Sequence, residues 1–125
     1  MIFDTDVLIW FLRGNEKAIE AVINEIPFSV STVTYMELIK GVRNKKELSQ
    51  LKKSFKNMGV KILPINENVS DKAVSFVEKY NLGHSVELAY ALIAATCVEN
   101  EEVLYTANDK HYNVIEGLKI KVFRP

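Results

Sequence analysis

A single cysteine, Cys97, is too few for an internal disulfide or a thiolate metal cluster, and its apolar helical surroundings make it a small core residue. Lys and Arg number 16, as do Asp and Glu, so no global basic field advertises nucleic-acid binding, and only a local patch remains open for it. No run of roughly 18 apolar residues is present, which excludes a membrane-spanning helix. The apolar start breaks at Asp4 without a basic stretch before it, so no signal peptide is expected. A soluble, cytoplasmic protein follows from these absences. The two histidines, His84 and His111, form no cluster with each other or with cysteine, so zinc is not indicated and both read as surface or structural residues. There is no Gly-x-Ser-x-Gly elbow and no glycine-rich phosphate loop. Repeats, low-complexity segments and linkers are also lacking. What is present is 125 residues, 48% of them hydrophobic, enough for one domain over 1–125 with a real core.

The first residues carry the clearest signal. Ile2 and Phe3 are strand formers, and a second apolar block runs from Val7 to Leu12. Between them stand Asp4, Thr5 and Asp6. A buried strand ending near Asp4 and a helix opening at Thr5 or Asp6 account for the pattern. Either Asp serves as a helix cap. A carboxylate at the carboxyl end of a core strand also faces the ligand crevice of an open α/β sheet, and for Asp4 that reading is favoured.

Further along, strands and helices alternate. Asn15 caps a helix through Glu25, stopped by Pro27; Phe28 to Val33 reads as a strand. Thr34 and Glu37 fit a capping box, with Gly41 at the helix end. A basic helix from about Lys45 carries Leu48, Leu51, Phe55 and Met58 as one stripe. Val60 to Leu63 is a short strand closed by Pro64. Val69, Ala73, Phe76, Val77 and Tyr80 mark a helix followed by Gly83, and Ser85 caps another reaching Glu99. Val103 to Thr106 is a strand, Ala107 to Lys110 a polar turn, and Leu118 to Phe123 a last strand. This order predicts an α/β fold: a mostly parallel sheet of about five strands with helices on both faces. Right-handed crossovers let the ends of the first and fourth strands meet.

Asp4, Asp6, Glu37, Glu87 and Asp109 fall at element boundaries or on helices. Carboxylates converging on one crevice repel, and a hard divalent cation such as Mg²⁺ or Mn²⁺ is the common remedy. Scattered acids alone are a weak signal. Four stretches in order are more specific: Ile2 to Ile9, Thr34 to Leu38, Ala91 to Thr96, and Leu104 to Tyr112. Together they resemble the PIN-domain family, specifically toxins of VapBC-type toxin–antitoxin pairs, over nearly the whole chain. The resemblance implies a three-layer α/β/α domain and a Mg²⁺- or Mn²⁺-dependent endoribonuclease. It further implies a homodimer restrained by a small VapB-like antitoxin protein, with RNA as substrate.

Carried over by position, Asp4 and Glu37 match the family's first two metal-binding acids. Thr106 and Asn108 match the polar residues after the fourth strand, and Asp109 is a neighbouring spare acid. One position departs: Tyr90 stands in front of Ala-Leu-Ile-Ala-Ala-Thr, where the family normally has an Asp metal ligand. Glu87, three residues earlier on the same helix face, is the candidate replacement. Without it, the site is impaired, and a non-catalytic module that dimerises and binds antitoxin or RNA becomes the alternative. Arg43, Lys45 and Lys46 are the candidate RNA contacts. Trp10, Phe11 and Leu12 are candidate partner anchors, with core packing favoured for them. A flavodoxin-like nucleotide switch is disfavoured, because acids replace glycines after the first strand.

Overall fold

Ile2 and Phe3 are neighbours in sequence, yet their side chains enter two separate hydrophobic cores. That is the signature of a strand buried on both faces, since successive side chains point to opposite sides of a sheet. The computed structural model describes residues 1–81 and 87–125; Gly83, His84 and Ser85, expected as a helix stop, a surface residue and a cap, lie outside them. The elements run β1 (Ile2–Phe3), α1 (Thr5–Leu12), α2 (Glu16–Asn24), β2 (Ser29–Ser31), α3 (Thr32–Lys40) and α4 (Lys45–Met58). Then come β3 (Lys61–Leu63), α5 (Glu67–Tyr80), α6 (Leu88–Glu99), β4 (Leu104–Thr106), α7 (Asp109–Tyr112) and β5 (Ile120–Val122).

The five strands form one parallel sheet in the order β3-β2-β1-β4-β5. On one face Phe3, Val30 and Phe123 pack with Val7, Leu8, Val22, Leu51 and Phe55 of α1, α2 and α4. Phe3 meets the edge of Phe28 at 4.7 Å between ring centres and stacks on Tyr105 at 5.2 Å. On the other face Ile2, Leu63 and Leu104 pack with Tyr80 of α5, Ile93, Ala94 and Cys97 of α6, and Tyr112 of α7. The result is a three-layer α/β/α fold. No described helix is long and apolar enough to cross a membrane.

The strand order reverses between β1 and β4: one half of the sheet grows from β1 through β2 to β3, the other from β4 to β5. Such a switch point opens a crevice beyond the carboxyl ends of the two central strands. Asp4 follows β1 and Thr106 ends β4, so both stand at that crevice.

One helix start is corrected. The capping box of Thr34 and Glu37 does not form. Ser31 caps α3, its Oγ accepting from Val33 N at 3.1 Å, and the helix begins at Thr32. Thr34 is fully buried inside the helix, and Glu37 engages Thr5 instead of the backbone. Ser31→Ala is therefore expected to cost about 1 kcal/mol, read as a lower urea midpoint with an unchanged slope. An unchanged midpoint removes Ser31 as the cap. The polar turn after β4 is likewise partly helical, forming α7.

Candidate functional site

Asp4 is 2% exposed, at the end of a strand too short to pass beyond the core. Both its oxygens are used: Oδ1 accepts from Thr5 N at 2.8 Å and Oδ2 from the Thr106 hydroxyl at 2.8 Å. Asn108 N donates to Thr106 Oγ1 at 2.9 Å, which orients that hydroxyl toward Asp4. Asp6, in the first turn of α1, accepts from Val7 N at 2.7 Å and from Ala107 N at 3.0 Å. The start of α1 and the end of β4 are thus laced together by two carboxylates. Asp4 is the N-cap of α1 as well as a crevice residue, so the two readings of its sequence position coexist.

Glu37 joins from α3. Thr5 Oγ1 lies 2.7 Å from Glu37 Oε1 and 3.0 Å from Thr34 Oγ1. A hydroxyl has one proton, and a carboxylate only accepts, so Thr5 donates to Glu37 and the Thr34 hydroxyl is the donor of the second contact. The link fixes an otherwise exposed glutamate toward Asp4's helix.

The electrostatics are those of an undercompensated acidic site. Burial, then the charge of Asp6, push the Asp4 carboxyl up to about 6 from its ordinary 3.8, against the lowering effect of the Thr106 and Thr5 hydrogen bonds. Burial also raises Asp6. Among the described residues no Lys or Arg pairs with Asp4, Asp6 or Glu37. Tyr112 is fully buried, and its hydroxyl has no hydrogen-bond partner among the described residues. Its phenol is pushed up by burial and then by the Asp4 charge. Burial and Asp4 also raise the Cys97 thiol, which is inert core in this fold.

Tyr90 enters the crevice from the first turn of α6. Burial raises its phenol, followed by the charges of Asp4, Glu87, Asp6 and Glu37 in that order, so its hydroxyl lies in the field of all four acids. Its ring stacks on His111 at 4.7 Å and 24°, and the edge of Tyr112 meets it at 5.3 Å. Glu87 precedes α6, exposed, without a side-chain capping bond.

Other expected residues stand apart. Asp109 Oδ1 accepts from Arg124 Nη2 at 2.9 Å, and that guanidinium holds the carboxyl below its usual range. Asn108 contributes its backbone and makes no side-chain capping bond for α7. Arg43 forks onto Glu47, with Nη2 donating at 2.8 Å, while Lys45 and Lys46 are exposed on α4. Of the apolar trio in α1, Trp10 and Phe11 pack against the core and Leu12 is 53% exposed. Thr5, Thr34, His111 and Tyr112 carry no site role in the sequence analysis, although all four lie within its matching stretches.

These donors are hard oxygens, which suit Mg²⁺ or Mn²⁺ and not zinc. No three His, Cys, Asp or Glu residues among those described are arranged to enclose a metal. The set fits a largely hydrated cation held by one or two carboxylates, as Mg²⁺ commonly is, and not a protein cage. The uncompensated charge at Asp4 is the observation that favours a cation there.

A parallel α/β/α sheet with carboxylates at its switch point is the class that the fold and crevice define. The chain belongs to the PIN domain family, whose pattern matches residues 1–117. It is similar in structure to a chain of a toxin–antitoxin complex from Klebsiella pneumoniae, with 25% identity, 94% of this chain and 93% of that one covered, and a TM-score of 0.75. It is also similar to a chain of VapBC-1 from nontypeable Haemophilus influenzae, with 23% identity, 98% of each chain and a TM-score of 0.81. A chain of DNA-bound VapBC from Salmonella typhimurium gives 19% identity, 97% and 96% coverage, and a TM-score of 0.84. No curated protein matches by sequence.

Proposed function

We propose that this chain is the toxin of a VapBC-type toxin–antitoxin pair and that its crevice hydrolyses RNA phosphodiesters with Mg²⁺ or Mn²⁺. The observation that carries the reading is Asp4, a buried carboxylate held near 6 beside Asp6, with no cationic partner among the described residues. Asp4 and Glu37 are the residues that would hold the cation, which when bound supplies a more acidic water and a counter-charge for the phosphodiester. Thr106 fixes the Asp4 rotamer and Thr5 fixes Glu37. Asn108, at the lip, has an amide suited to orient water or phosphate. Glu87 is a weaker ligand candidate, in the crevice's field but exposed. Asp109, committed to Arg124, is weaker still. Arg43, Lys45 and Lys46 are offered as backbone phosphate contacts, Arg43 at the expense of its pair with Glu47.

The antitoxin's seat is proposed to be a groove of about 770 Å³ between α1, α3 and α4. Ile9, Leu12, Leu38, Val42 and Leu51 give it an apolar floor. Its lining includes Glu37, so a segment lying there reaches the acid crevice. Dimerisation and a cytoplasmic location belong to the same proposal.

The test is cleavage of a panel of single-stranded RNAs in Mn²⁺, with EDTA as control. Glu37→Gln keeps an oxygen for Thr5 and removes the charge, so it is expected to fold normally and to lower cleavage at least about tenfold. Unaltered cleavage removes Glu37 from the site. The second reading, a PIN-fold module that binds antitoxin or RNA without cutting, is favoured by the position of Tyr90. That phenol feels the charges of Asp4, Glu87, Asp6 and Glu37, and it stands at the position where the resemblance expects a third acid. Antitoxin binding without cleavage of any RNA selects it.

A further inference from the structure

Three rings form a graded row from core to solvent beside the acid crevice. Tyr112 is fully buried, Tyr90 is half-buried, and His111 is exposed. Tyr112 and Tyr90 meet nearly perpendicular, at 81°, which restrains the tilt of the Tyr90 ring. Tyr90 in turn lies nearly parallel to His111 at 4.7 Å between centres. An exposed side chain on a short helix ordinarily samples several rotamers, and a parallel ring beneath it removes that freedom. One face of the imidazole lies against Tyr90, and the residue remains exposed.

We propose that His111, set in place by Tyr90, is a stacking platform for one nucleobase of single-stranded RNA. The inference rests on the ribonuclease reading and extends it to how a nucleotide is held at this crevice. A flat ring, pre-ordered and open on one side, is what an unstacked base needs, and His serves in this way as Phe and Tyr do. Its location supplies the rest. Tyr90 spans the distance: its hydroxyl lies in the field of Asp4, Glu87, Asp6 and Glu37, while its ring face carries His111. In this arrangement a strand whose phosphate sits at the acids would lay a neighbouring base on the His111 ring. Lys110, exposed on the preceding position of α7, is placed to meet the backbone of the same strand. A duplex keeps its bases stacked on each other and offers none to the platform.

The experiment is fluorescence anisotropy with the full chain and a short labelled single-stranded RNA, in EDTA and again in Ca²⁺, with the same sequence as a duplex in parallel. His111→Ala is expected to weaken single-strand binding about tenfold, the usual consequence of losing one stacked base. His111→Phe keeps the ring and is expected to bind like the parent; His111→Leu keeps volume without a π-face and is expected to resemble His111→Ala. Duplex affinity stays unchanged across the series. Equal binding by the parent and His111→Ala overturns the platform. So does a His111→Phe that binds as poorly as His111→Ala, since the imidazole then acts through its nitrogens. A parent chain that binds no single-stranded RNA in either buffer overturns the ribonuclease reading itself, and the platform with it.

Discussion

Asp4→Asn is expected to stabilise the protein at pH 7 while removing the metal-dependent cleavage proposed for it. In the fold the Asp4 carboxyl titrates near 6, against an ordinary 3.8 in the unfolded chain. The folded state therefore binds the proton more tightly. Between about pH 4 and 6 it holds more protons than the unfolded state, so stability falls as pH rises through that window. Above 6 the full cost of the buried charge is present. The difference between 3.8 and about 6 corresponds to about 3 kcal/mol. Asn recovers only part of this. Asp4 accepts at both oxygens, and an amide has one. The Thr106 hydroxyl must turn to accept from the new Nδ2, although it already accepts from Asn108 N. The net gain is thus about 1–2 kcal/mol, several degrees in Tm. The measurement is a pair of urea curves at pH 7.5 and near pH 4. The gain should be present at the first and reversed at the second, where protonation gives the parent back most of the cost that Asn recovers only in part. A loss of stability at pH 7.5 means that the hydrogen bonds outweigh the desolvated charge. Cleavage in Mn²⁺ is expected to fall at least about a hundredfold, because even the outer partners of metal ligands matter by 10- to 100-fold.

Tyr90→Asp is expected to move stability in opposite directions with and without Mn²⁺. In EDTA the substitution places a further carboxylate in the field of Asp4, Asp6, Glu37 and Glu87. It also deletes the ring contacts to His111 and Tyr112. A loss of about 2 kcal/mol is expected from the packing alone. In Mn²⁺ the added ligand raises affinity by tenfold or more, since opposite charges at contact distance interact by several kcal/mol even at an effective dielectric constant of about 20. Binding only the folded state, the metal then returns stability in proportion to the logarithm of its concentration over Kd. Calorimetric titration and melting curves read both effects. If only Tyr90→Asp cuts RNA, the crevice is a nuclease site disabled at one residue. Equal Mn²⁺ affinity in the two forms sinks the idea that Tyr90 replaces a ligand.

How far the sequence went depends on range. Asp4 was legible because an apolar strand ending in an acid is local information, and the alternation of strands and helices is too. The start of α3 was not. Ser31, Thr32 and Thr34 are all acceptable caps, and only the burial of Thr34 against Thr5, across 29 residues, decides for Ser31. Asp109 looked free because its partner, Arg124, is 15 residues away on the last segment. The row of Tyr90, His111 and Tyr112 joins two helices separated by β4, and no periodicity relates them. The groove of α1, α3 and α4 was invisible for the same reason: it exists only as a juxtaposition of helices. Trp10 and Phe11 were read toward the core, where they lie, and Leu12 proved the exposed member of that trio.

The bond from Thr106 to Asp4 joins residues 102 positions apart, and the one from Ala107 to Asp6 spans 101. During synthesis, Asp4 leaves the ribosome long before β4 exists. Until the last strands emerge, the carboxylate has neither its hydroxyl partner nor the central strand that walls its crevice. A ribosome-bound fragment ending before residue 104 therefore has Asp4 and Asp6 but no assembled crevice, which closes only when the last fifth or so of the chain has been made.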